Sequence, residues 1–134
     1  MKLLLDTHVV IWAVDEPEKL SDTARELLED TANELVLSAA TMWEISIKYG
    51  NEKLKLSAPF RDWIAQATLE LDLRNLGISV EHCDTQTRLA KHHKDPFDRL
   101  LIAQAIAEDI TGGVGGCRLR PVPRPPAVVT EKSA

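Results

Sequence analysis

Short apolar runs that stop abruptly at polar residues constrain this chain more than any other feature. Lys2-Leu3-Leu4-Leu5 ends at Asp6-Thr7, and Leu35-Val36-Leu37 ends at Ser38. Each is too short for a helix and too uniformly apolar for a strand with one wet face, so each reads as a parallel strand buried on both sides. Leu76-Gly77-Ile78-Ser79-Val80 reads as a third. Such strands need helices to cover them, and the segments between them supply helical signals. His8 to Val14 reads as a short helical turn. Ser21 is a plausible N-cap for a helix with Leu20, Ala24, Leu27 and Leu28 on one stripe. Ser38 caps a helix running to about Tyr49, with Gly50 as its stop. Pro59 fits the first turn of a helix carrying Phe60, Trp63, Ile64 and Ala67, and Asp84 to His92 reads as helical. Asp95 followed by Pro96 opens the last clear helix, with Leu100, Leu101, Ala103 and Ala105 inside. Strands alternating with helices predict an α/β fold with a central parallel sheet.

The 134 residues suffice for one domain with one core, and no linker interrupts residues 1–111. The character then changes. Residues 112–134 hold four of the six glycines and four of the seven prolines, so this Gly/Pro-rich tail is expected to be disordered. The tail has four basic residues against one acidic, a net of +3, leaving 12 basic against 20 acidic, or −8, for residues 1–111. An acidic body makes few phosphate contacts of its own, so any work on nucleic acid requires cations or a basic partner. No apolar run approaches the ~20 residues that span a bilayer. The opening Met1-Lys2-Leu3-Leu4-Leu5 is interrupted by Asp6 before reaching the roughly 7–15 apolar residues of a signal peptide. A cytoplasmic protein without a membrane role is expected. Cys83 and Cys117 make neither a disulfide framework nor a zinc pattern, and His92 and His93 have no spaced partner for zinc.

Three acids sit where a parallel α/β fold builds its sites, beyond the carboxyl ends of strands. Asp6 ends the first strand. Glu44 lies in the second turn of the helix after the second strand, and Asp98 in the first turn of the last helix. Converging carboxylates repel unless a cation neutralises them, and an all-oxygen set suits Mg²⁺ or Mn²⁺. Each acid also has a plainer reading: Asp6 capping a turn, Glu44 pairing with Lys48 four residues on, and Asp98 sharing a capping arrangement with Asp95. His8 is expected to pack or face solvent. Trp12, Trp43 and Trp63 are able to stack bases, but all three sit on apolar patterns and are expected in the core.

The local sequences carry a resemblance. Leu4-Leu5-Asp6-Thr7-His8-Val9-Val10-Ile11-Trp12-Ala13, then Ser38-Ala39-Ala40-Thr41-Met42-Trp43-Glu44-Ile45 with Lys48, then His92-His93-Lys94-Asp95-Pro96-Phe97-Asp98-Arg99-Leu100-Leu101-Ile102-Ala103-Gln104-Ala105 occur in order and in register. Together they resemble the three motifs of VapC-like PIN-domain toxins, over residues 1–111. The resemblance implies a three-layer α/β/α sandwich and a Mg²⁺- or Mn²⁺-dependent endoribonuclease. It further implies an RNA substrate, a homodimer and a cognate VapB-like antitoxin. It puts Asp6, Glu44 and Asp98 on the metal and catalytic acids. Thr7 would set a hydroxyl near the metal, Arg99 would contact phosphate or pair with Asp95 or another acid, and Asp95 is the reserve ligand.

The resemblance stops after Thr111. Counting on from Asp98 to where the family carries a fourth acid, at the end of one more strand, lands on Gly116. The last strand is therefore expected to be missing. One hypothesis is a single-base frameshift near codon 112. The codons of Gly113 to Cys117, read one base later, are able to encode Val-Ser-Ala-Asp-Ala. A nucleotide sequence in which no such shift restores an Asp rules this out. Three functions remain open: a toxin ribonuclease, a degenerate PIN module that binds antitoxin without cutting RNA, and a phosphohydrolase with Asp6 as nucleophile. The last expects an acid where His8 stands. No glycine-rich loop follows the first strand, which argues against a nucleotide-binding fold.

Overall fold

The computed structural model describes residues 1–91, 94–110 and 128–129. The chain runs β1 (Lys2–Leu5), α1 (Thr7–Asp15), a single 3₁₀ turn, α2 (Asp22–Glu29), β2 (Glu34–Ser38), α3 (Ala39–Gly50), α4 (Phe60–Leu71), β3 (Arg74–Leu76), α5 (Val80–Thr87), α6 (Pro96–Ala107) and β4 (Val128–Val129). The sheet order is β3-β2-β1-β4 and every pairing is parallel. Helices flank this sheet, as the α/β/α expectation requires.

The leucine run of β1 is central. Leu3, Leu4 and Leu5 are each fully buried, and β2 lies beside them with Leu35, Val36 and Leu37 buried as well. A strand enclosed on both faces tolerates no polar residue, which is why these runs are continuous rather than alternating. Each fully buried leucine contributes about 1.5–3 kcal/mol of apolar transfer. Leu5 pairs with Leu37, so the chain leaves both strands at one edge of the sheet. The Thr41 hydroxyl donates to the Leu5 carbonyl at 3.3 Å, holding the first turn of α3 over that edge. On another side of the core, buried Trp63 of α4 donates its indole N–H to the Asp15 carboxylate at 3.1 Å and ties α4 to the end of α1.

The caps form where the sequence points. Ser21 accepts from the Ala24 N–H, Ser38 from Ala40, and Asp95 from Phe97 and Asp98, with Pro96 directly after it. Four boundaries move. Gly50 is the last residue of α3 rather than its stop, and Pro59 precedes α4 rather than entering it. The third strand is Arg74–Leu76, not Leu76 to Val80. There a cap overrides alternation. The Ser79 hydroxyl accepts from the His82 N–H while His82 Nδ1 accepts from the Ser79 N–H, closing a capping box that starts α5 at Val80, ahead of the expected Asp84. Val80 is accordingly 86% exposed instead of buried in a sheet.

Three strands carry the sheet, and beside β1 lies the two-residue β4, with Leu4 opposite Val128 and Leu5 opposite Val129. The expected break at Gly112 to Gly116, the segment Pro121 to Pro126, and the pair His92 and His93 lie outside the described residues, as does the rest of the tail expected to be disordered.

Candidate active site

Asp6 is the first residue past β1, and its position is set twice. The strand delivers it to the sheet edge, and as N-cap of α1 its Oδ1 accepts the Val9 N–H at 3.0 Å. It is 8% exposed. Here it also lies at the positive end of α1.

Thr7 follows, buried, and donates its hydroxyl to Glu44 Oε1 at 2.5 Å. This contact crosses from the start of α1 to the second turn of α3 and brings Glu44 to the end of β1. The other carboxylate oxygen of Glu44, Oε2, meets Lys48 Nζ at 3.0 Å. The plainer reading of Glu44 as a helix-surface partner of Lys48 is thus realised through one oxygen, while the other faces Thr7 at the end of β1.

Asp98 sits in the first turn of α6. Its backbone N–H reaches Asp95 Oδ1 at 3.4 Å, and Asp95 Oδ1 also takes the Phe97 N–H at 2.8 Å. Asp95 is therefore the cap that orders this turn. Arg99 donates to Gln86 Oε1 at 3.0 Å, to the Gln86 carbonyl at 2.6 Å and to the Ala90 carbonyl at 3.0 Å, fastening α6 to the end of α5. The start of α6 meets α3 through a ring contact. Phe97 and Trp43, the residues directly before Asp98 and Glu44, stand 5.7 Å apart at 65°.

The oxygen-only donor set of Asp6, Thr7, Glu44 and Asp98 fits a hard divalent cation in chemistry. The elements that carry it adjoin one another through the Thr7–Glu44 bond and the Trp43–Phe97 contact. Among the described residues, no group of three or more His, Cys, Asp or Glu stands ready to hold a metal ion. A cavity of about 650 Å³ opens at the other end of the strands, lined by residues such as Glu34, Leu35 and Arg74, and none of these acids lines it.

Two features of the site escape the sequence. The first is a buried polar chain behind it. Ser38, fully buried, donates its hydroxyl to Gln104 Oε1 at 2.6 Å, and Gln104 Nε2 donates to the Gly77 carbonyl at 3.2 Å and approaches His82 Nδ1 at 3.3 Å. The Ser79 N–H can only donate, so His82 Nδ1 accepts. The ring proton assigned from this network is on Nε2, facing Glu108 Oε2 at 2.8 Å. The chain couples the end of β2, from which α3 and Glu44 depart, to α6, which carries Asp98. A polar Gln104 amid Leu100, Leu101, Ile102, Ala103 and Ala105 is the sequence signal that points to it. The second is Trp43. Trp63 is buried, as expected, and Trp12 is half-buried with His8 packed on it at 5.6 Å. Trp43 is 61% exposed, which overturns the expectation of a core residue. Helix α3 spreads its large apolar residues Met42, Trp43, Ile45, Ile47 and Tyr49 over more than one side, with Ala40 and Ile45 buried, and its periodicity does not single out which large side chain is left outside.

Comparison with known proteins fits these observations. Residues 3–112 match the PIN domain family. The chain is 34% identical over 105 residues to Ribonuclease VapC22 of Mycobacterium tuberculosis, covering 78% of each protein. Its fold resembles a crystal structure of VapBC2 from Rickettsia felis bound to a DNA fragment from their promoter, with a TM-score of 0.59 and 22% identity over 83% of this chain and 85% of that one. The family match ends one residue past the point where the motifs cease. The family match over most of the chain and the 34% identity to a VapC ribonuclease settle its kinship: the chain belongs to the PIN-domain family, in its VapC-like branch.

Proposed function

We propose that the chain is a divalent-metal-dependent endoribonuclease of the toxin type, acting on RNA in the cytoplasm and restrained by a VapB-like antitoxin. The observation that carries this reading is the Thr7–Glu44 hydrogen bond, which joins the end of β1, where Asp6 stands, to α3. Ribonuclease VapC22 supports the reaction class, and the solved VapBC2 assembly supports an antitoxin partner. A homodimer is part of the reading. Among the described residues no helix is long and apolar enough to cross a membrane.

Asp6, Glu44 and Asp98 would hold Mg²⁺ or Mn²⁺, with Asp95 as the reserve ligand. When bound, such a cation supplies Lewis-acid activation of water and offsets phosphodiester charge. The chain's own groups have distinct tasks. Thr7 orients Glu44, Lys48 moderates the charge on its second oxygen, Asp95 orders the turn bearing Asp98, and Arg99 anchors α6. Incubating the purified chain with RNA in Mg²⁺, in Mn²⁺ and in EDTA, with Asp6→Asn alongside, tests the proposal. Cleavage in either metal that EDTA and the variant abolish is expected, whereas equal cleavage by Asp6→Asn removes it.

A second reading, a degenerate domain that captures antitoxin without cutting RNA, is favoured by Gly116 at the fourth-acid position. Antitoxin binding with no cleavage in either metal selects it.

A further inference from the structure

We propose that Trp43, braced by Phe97, is a stacking subsite for one nucleobase of single-stranded RNA beside the acids. This rests on the ribonuclease reading for the identity of the ligand. Trp43 leaves 61% of its surface in solvent, although α3 offers a buried side that takes Ala40 and Ile45. The indole is nonetheless held: the Phe97 ring meets it at 5.7 Å and 65°. An aromatic surface that is fixed but uncovered suits a flat ligand, because the stacking partner replaces water without moving the ring.

Its location specifies the ligand further. Trp43 directly precedes Glu44, and Phe97 directly precedes Asp98, so the ring contact joins the two helix turns that carry these acids. A base stacked there leaves its own phosphate within the neighbourhood of the acids. Charge points the same way. Residues 1–111 carry −8, and the cation nearest Glu44, Lys48, is engaged with it at 3.0 Å. Phosphate neutralisation is weak on such a surface, and base stacking is indifferent to that charge. A protein partner is the competing occupant, since Ile47, one turn further along α3, is 38% exposed. The acids that flank the aromatic pair favour the base. A single ring needs only the exposed indole and makes no demand on Glu44, whose side chain is 17% exposed and held by Thr7 and Lys48.

The test is binding in EDTA, where metal-dependent cleavage is silent. A short single-stranded RNA of mixed sequence and an abasic chain of the same length are titrated into wild type, Trp43→Phe and Trp43→Ala. Circular dichroism checks that the variants fold. RNA is expected to quench an emission component present in wild type and missing from Trp43→Phe. Trp43→Ala is expected to bind roughly 10- to 100-fold more weakly, Trp43→Phe to stay within a few-fold of wild type, and the abasic chain to bind all three alike. Unchanged affinity in Trp43→Ala overturns the proposal. So does loss of self-association or of antitoxin binding in Trp43→Ala with RNA affinity intact, which assigns the pair to a protein contact. Cleavage with metal, measured separately, distinguishes the two readings. Wild type that binds and quenches but never cleaves keeps the stacking site and removes the nuclease. Cleavage with no Trp43 effect removes only the stacking site.

Discussion

Asp6 has one role in the fold and, on the proposed reading, a second that substitution can separate from it. As N-cap of α1 it accepts the Val9 N–H, a role asparagine fills equally well, while as the proposed metal-site acid it would contribute a charge that asparagine lacks. Asp6→Asn is expected to stay within about 0.5 kcal/mol of wild type in denaturant unfolding while RNA cleavage falls to background. Asp6→Ala loses the cap as well, at about 1 kcal/mol. Comparable stability losses in the two variants would show that the cap is not what Asp6 contributes to folding. Thr7 makes a finer case. Its buried hydroxyl reaches Glu44 at 2.5 Å, and valine keeps the shape without the donor. Thr7→Val is expected to lower cleavage and divalent-ion affinity by about 10- to 100-fold, the range for groups that orient a ligand, and Thr7→Ser to recover most of it. Metal titration with cleavage rates checks this. Thr7→Val with wild-type values would reduce the bond to a packing detail.

At the scale of elements, the relation of α3 to α6 decides whether the acids work together, and Gln104 governs it from inside. Leucine at 104 keeps the volume but leaves the Ser38 hydroxyl without its acceptor and the Gly77 carbonyl without its donor. Each buried orphan costs about 1–3 kcal/mol, so Gln104→Leu is expected to lower the unfolding midpoint clearly in thermal or chemical denaturation. A neutral result would mean that α6 shifts to rescue both groups. The sequence allowed β1, β2 and most caps to be read because those signals are local: apolar runs bounded by Asp6 and Ser38, Ser21 before α2, Asp95-Pro96 before α6. It misplaced β3 because Ile78 and Val80 alternate like a strand while the Ser79–His82 cap turns the same residues into a helix start. The motifs singled out Asp6, Glu44 and Asp98, and the fold places Asp6 at the end of β1 with Glu44 joined to it through Thr7. The Ser38–Gln104 bond was not, since it joins residues 66 positions apart, and no periodicity within either element records the partner. The exposure of Trp43 was hidden for the same reason: its environment is decided by where α6 brings Phe97.

For the molecule as a whole, the acidic body and the basic tail pose the question of what the tail contributes. Its described part is β4, which pairs in parallel with the end of β1 at Leu4 and Leu5. Leu3, Leu4 and Leu5 of β1 are fully buried, and Asp6 leaves the strand one residue after Leu5 pairs with Val129. Cutting the chain after residue 111 removes β4 and frees one backbone edge of β1, although the PIN match, which ends at residue 112, is almost untouched. Lost ladder bonds at the central strand cost on the order of 1–2 kcal/mol, and an apolar edge invites pairing with another chain. The truncated chain is therefore expected to melt at a lower temperature and to form aggregates with rising concentration, measured by calorimetry and light scattering against the full chain. The tail's remaining residues carry +3, so their loss also moves the whole chain from −5 to −8. Raised salt screens that added repulsion but does not replace β4. If salt restored the full melting temperature, the tail would act through its charge. If only the full chain recovered it, the short strand beside β1 would be the part of the tail that matters.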